Sequence, residues 1–243
     1  MMGSDAIKDL RSITVMRWIW ICVFAVAFAW VESSVVVYLR EIYYAGSFNF
    51  PIAVEWDNGK YVSGYLTSIE SIREAATIIM LAAVACLSGK NSWQKFCFFM
   101  IAFGVWDIFY YVWLYVMVGW PEGLMTWDIL FLIPLPWTAP VIAPVLISIA
   151  MIAAGTLMIY FDERGAGLKF YWYDWLIEMG CGLIMIISFC WDWKNIVQLP
   201  DGAERSGIPN PFLWGLFLPV YILSAGWFIL RLFQNIKKNK LKI

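Results

Sequence analysis

The stretch KFCFFMIAFGVWDIFYYVWLYVMV, residues 95–118, carries a single charge, Asp107, after its opening lysine. Wound as an α-helix at 1.5 Å per residue it is about 36 Å long, enough to cross the ~30 Å hydrocarbon core of a bilayer. A run this long and this apolar reads as a transmembrane helix. Five more runs of the same kind surround it, near 17–39, 70–88, 141–161, 173–192 and 211–233.

Composition points the same way. Of 243 residues, 62% are hydrophobic and 14% charged, whereas an ordinary soluble domain is about 25% charged. Many of the 16 Trp and 12 Tyr flank the runs, among them Trp18, Trp20, Trp93, Trp120, Trp137, Trp172 and Trp191. Amphipathic rings of this kind favour the headgroup level. Trp106 and Trp113 fall inside a run, where packing is the first reading and contact with lipid or a flat ligand such as a quinone the others. The fold class expected is an all-α integral membrane protein of six transmembrane helices, with residues 1–243 as one transmembrane helical domain.

Charge distribution orients the spans. Lys8, Arg11, Arg17, Lys90, Lys95, Arg164, Lys169, Arg231, Lys237, Lys238, Lys240 and Lys242 fall on one side, leaving Arg40, Lys60, Arg73, Lys194 and Arg205 for the other. The positive-inside rule then places both termini in the cytoplasm. A bacterial inner membrane suits the compact unit and its basic tail. That tail reads as an interface anchor rather than a nucleic-acid contact. The small-x-small triplet Ala27-Phe28-Ala29 has the form of a leader cleavage site, but the apolar run continues through Val37, so an uncleaved first helix is expected.

Two connections carry their own patterns. In 42–69, Asn58-Gly59 separates Ile52–Asp57 from Lys60–Tyr65, and Asn-Gly between strand-forming runs predicts an extracytoplasmic β-hairpin. In 120–140, Thr126 could cap a short helix with Asp128 near its positive end, and Pro134, Pro136 and Pro140 would stop it. Residues 126–133 are therefore read as a short interfacial or re-entrant helix before the fourth span.

Several chemistries are excluded or given no support. With no histidine in the chain, imidazole-ligated haem and the usual histidine-containing di-iron or copper centres cannot be built from it. Cys22, Cys86, Cys97, Cys181 and Cys190 form no close metal-binding pair. No nucleotide loop is present, and the cofactor remains unassigned.

The functional clue lies in ionisable residues within spans, which are costly and face a partner, the bundle interior or a water-filled cavity. Glu32, Glu70, Glu74 and Asp107 fall in a similar layer of the first three spans, around the single cation Arg73. Four acids cannot pair one to one with one arginine, so some are expected to be protonated, hydrated or cation-bound. An all-carboxylate site would suit a hard ion such as Ca²⁺ or Mn²⁺. With Asp128 these residues form the candidate polar or ligand-binding set; the alternative is a salt-bridged core. A second stripe, Asp174, Glu178, Cys181, Met185, Ser188 and Asp192, recurs at helical spacing and reads as a packing face, because Met185 interrupts any polar path.

Three functions follow. The first is a membrane subunit or accessory protein that anchors or stabilises an assembly, with lipids and other membrane or extracytoplasmic subunits as partners and no nucleic acid. The second is a small proton- or cation-coupled transporter using Glu32, Arg73, Glu74 and Asp107. The third is a membrane enzyme acting on a lipid or quinone.

Overall fold

A computed structural model of the protein describes residues 4–43, 64–164, 168–191 and 211–238. Six helices appear in chain order: α1 Ser4–Tyr43, α2 Gly64–Ser88, α3 Ser92–Val118, α4 Ile142–Asp162, α5 Trp172–Cys190 and α6 Trp214–Lys238. Each contains a stretch long and apolar enough to cross a membrane, from Thr14–Leu39 in α1 to Trp214–Lys238 in α6. These stretches lie within a few residues of the runs read from sequence. The protein is a helical membrane protein.

Between α3 and α4 the structure departs from the sequence reading. Residues expected to form a short helix are instead β1, Trp127–Phe131, paired antiparallel with β2, Trp137–Pro140. A helix over 126–133 would have been too short to offset its nucleation cost. Trp-Asp-Ile-Leu-Phe is instead strand-forming, and the prolines sit in the turn and at the edge of a two-stranded sheet, where a missing donor is tolerated. A register shift between Ile129 and Phe131 lets Phe131 pair with Trp137. Of the hairpin expected at 52–65, residues 52–63 lie outside the described residues, while Gly64 and Tyr65, expected at the end of its second strand, open α2 instead.

Local signals set the helix ends. Asn91 caps α3 by accepting from the Gln94 N–H at 2.8 Å. At the other end, Gly119 adopts φ 70°, and its N–H bonds the Tyr115 carbonyl at 2.9 Å; this left-handed stop suits glycine.

Helix α3 is the hub, packed by α1, α2 and α4 around Phe98, Ile101, Ala102 and Val105. Small residues allow α3 and α4 to approach closely, as is common between membrane helices. A Cβ on Gly104 would lie 2.7 Å from the Ser148 carbonyl, and one on Gly155 2.8 Å from that of Cys97. Helices α5 and α6 form a separate pair, joined to the rest through β2, α4 and the core of Ala139, Ala143, Phe189 and Phe217. The hairpin lies at the end of the bundle where α1 ends and α4 begins, here termed the hairpin end.

Candidate functional site

Two polar centres stand at opposite ends of the bundle. At the hairpin end, Glu32 near the end of α1 meets Arg73 in the first half of α2. The Arg73 guanidinium contacts the Glu32 carboxylate through Nη1 and donates through Nε to Glu70 Oε2 at 2.8 Å. Glu70 and Arg73 are one helical turn apart, so one fork joins a same-helix acid to one across the interface. Thr77, the next turn along the same face, donates to the second Glu32 oxygen at 3.1 Å. Next to Glu32, Ser33 donates to the Tyr110 carbonyl at 3.0 Å and ties α1 to α3.

Glu74 points elsewhere. Its carboxylate accepts the Leu132 backbone N–H at 2.9 Å, just beyond β1, and so satisfies a donor where sheet pairing ends. Asp107 stands apart from Arg73, accepting from the Ser148 hydroxyl of α4 at 2.8 Å. Asp128, opposite Ala139 in the hairpin, is buried and hydrogen-bonded with Tyr111 of α3. The structure therefore gathers Glu32, Glu70 and Arg73 into one cluster and places Glu74, Asp107 and Asp128 on separate links to α4 and the hairpin. Among the described residues no three His, Cys, Asp or Glu side chains converge with a geometry able to hold a metal ion.

At the opposite end, Arg231 of α6 forms an ion pair with Asp174 of α5. Nε lies 2.7 Å from Oδ1, and Nη2 donates to Oδ2 at 2.8 Å. The Trp227 indole N–H and the Tyr171 backbone N–H donate to the same carboxylate at 3.0 and 2.7 Å. Arg231 also donates to the Tyr173 hydroxyl at 2.7 Å and lies within cation–π range of the Tyr171, Tyr173 and Trp227 rings. Sequence reading had sorted Arg231 with the interface cations and left Asp174 without a partner. The available signal was their matching position, three residues into α5 and near the last turns of α6.

One turn after Asp174, Glu178 accepts from Ser224 of α6 at 2.5 Å through Oε2, while Oε1 is buried with no partner among the described residues. Asp174, Cys181, Met185 and Ser188 are all buried on one stripe of α5, which fits the packing reading; Asp192 lies outside the described residues. At the same end, Gln94 of α3 donates to Asp162 at 2.9 Å and Glu163 at 3.0 Å, and Lys90 pairs with Glu163 at 3.2 Å.

Trp113 and Trp106, inside α3, both pack against neighbouring elements. Trp113 donates its indole N–H to the Val26 carbonyl at 2.9 Å and meets the Trp30 ring edge-on. Trp106 is buried against Phe103 and Phe131.

Comparison of the chain with protein-family models, curated proteins and solved structures finds no match.

Proposed function

We propose that the chain is an integral membrane subunit that anchors or stabilises a membrane assembly, in a bacterial inner membrane with both termini cytoplasmic and the hairpin end outside. The observation that carries this reading is that the hairpin-end acids are engaged as ties between elements. Glu32 is held by Arg73 and Thr77, Glu74 by the backbone after β1, Asp107 by Ser148 of α4. A centre made of such ties suits a rigid support better than a moving site. Broad apolar faces remain on the outside: Ile72, Ile79 and Leu87 on α2, and Ile222, Leu223 and Phe233 on α6 are exposed. These faces suit lipid and the membrane helices of other subunits.

Extraction into a mild detergent followed by native mass spectrometry tests the proposal. The expected result is a stoichiometric complex with another chain that dissociates when Ile72 and Ile79 are replaced by Glu. A monomer or self-dimer, with no other chain bound under conditions that keep it folded, would overturn it.

One observation favours the transporter as a second reading: among the described residues, neither Glu74 nor Asp107 forms an ion pair. An acid without a fixed cation can exchange one. Proton or cation flux in liposomes that falls with Glu32→Gln and Asp107→Asn would support it; flux unchanged by both, in folded protein, would remove it. The lipid- or quinone-enzyme reading gains less, because none of these carboxylates lines the cavity described next.

A further inference from the structure

A cavity of about 480 Å³ lies between the α3–α4 side of the bundle and the α5–α6 pair, a volume in the usual range for small-molecule sites. Its wall is apolar and aromatic, with Trp93, Met100, Ala154, Phe170, Trp175 and Phe228 among its lining residues. Ile149, Leu157 and Ile229 belong to the same lining and are exposed on the flank of the bundle, within the membrane-crossing stretches. Access is therefore from the bilayer, and the occupant is an amphiphile rather than a water-soluble solute.

The polar part of the wall specifies the head. Asp174, Glu178 and Ser224 line the cavity, and no Lys or Arg is among its lining residues. Asp174 is already occupied by Arg231, Trp227 and the Tyr171 N–H. Glu178 is not: Ser224 satisfies one oxygen, and the other is buried with no donor among the described residues. A buried acceptor without a donor is destabilising, and more so if it is charged. The Glu178 carboxylate thus lines the cavity with Ser224 as its donor and, among the described residues, with no cation paired to it, so a positively charged head is what it lacks. The Trp175, Trp227 and Tyr221 rings on the same wall favour a cation over a neutral hydroxyl.

We propose that this cavity binds an amphiphile with a primary ammonium head, the ammonium on Glu178 and the alkyl chain along the aromatic wall. The site is independent of the hairpin-end centre and of the subunit reading. The same head chemistry could come from a free long-chain amine or from the ethanolamine headgroup of a lipid.

The test is titration of the full chain in phosphatidylcholine nanodiscs with dodecylamine and with dodecanol, followed by tryptophan fluorescence and corrected with empty nanodiscs. Dodecylamine should bind at least tenfold more tightly than dodecanol, and Glu178→Gln should abolish that preference while leaving the thermal midpoint within a few degrees. If Glu178→Gln does not fold, Ala225→Phe supplies the test: it fills the cavity from α6 and should weaken dodecylamine binding at least tenfold. Replacing part of the phosphatidylcholine with phosphatidylethanolamine separates the sources. Competition with dodecylamine identifies the lipid headgroup as a ligand; no competition restricts the site to free amines. Equal binding of amine and alcohol, a preference that survives Glu178→Gln, or unweakened binding to Ala225→Phe would overturn the proposal.

Discussion

Arg73 and Arg231 both carry a guanidinium into a membrane span, but their neighbours differ. Arg73 divides its fork between Glu32 on α1 and Glu70 on its own helix, with Glu74 and Asp107 tied elsewhere nearby. Arg231 pairs with a single carboxylate, that of Asp174, and is walled by three aromatic rings; its side chain is 12% exposed against 24% for Arg73. The difference follows from what each centre joins. The hairpin-end ties run from α2 to α1 and to the hairpin, with α1–α3 and α3–α4 links beside them, so no one cation serves them all. The other centre fastens α5 to α6, and one ion pair suffices.

The largest effect expected from this contrast is that of Arg73→Leu. It leaves Glu32 and Glu70 without their cation, at a cost of about 3–5 kcal/mol for a broken buried pair. Unfolding in mixed detergent should show that loss, and hydrogen exchange should rise across α1 and α2 together. Arg231→Leu strands one carboxylate, at a cost near the lower end, about 3 kcal/mol. Its faster exchange should be confined to α5 and α6. If exchange instead spreads through α1 to α3, the separation between the two parts of the bundle is wrong.

Packing sharpens the same comparison. Gly104→Ala drives a Cβ to within 2.7 Å of the Ser148 carbonyl, so it should lower stability by about 1–3 kcal/mol. In α6 a Cβ on Gly226 meets nothing within 4 Å, and Gly226→Ala should be neutral or stabilise by up to about 1 kcal/mol. Thermal melts of the two variants check the pair. A modest loss is expected of Ser148→Ala, which removes one donor from Asp107 and should cost about 1 kcal/mol.

How much of this could be read beforehand depended on the range of each signal. Six spans were visible because hydrocarbon thickness imposes a long, local requirement on composition. That Arg73 and Glu32 share one polar layer was legible because both are rare charges at a similar depth in neighbouring spans; which of the acids Arg73 reaches was not. The strands at 127–131 and 137–140 were not, since Thr126, Asp128 and the prolines suit a capped, interrupted helix as well as a hairpin. The pairing that decides between them includes a non-local donor, the Leu132 N–H bound by Glu74. The Arg231–Asp174 pair was missed because a cation near the end of a span also satisfies the positive-inside rule, which assigns it to water. The Glu178 cavity depends on how α5 and α6 stand against α3 and α4, and no local pattern encodes that.

The central claim is that the hairpin-end charges act together as a tie between helices. A double-mutant cycle on Arg73→Leu and Glu32→Gln, read as unfolding free energy in one detergent, tests it most directly. The account predicts that the double variant is more stable than Arg73→Leu alone, with a coupling of about 1–3 kcal/mol. Losses that simply add would contradict it, because they would mean that the two residues do not depend on each other in the folded protein.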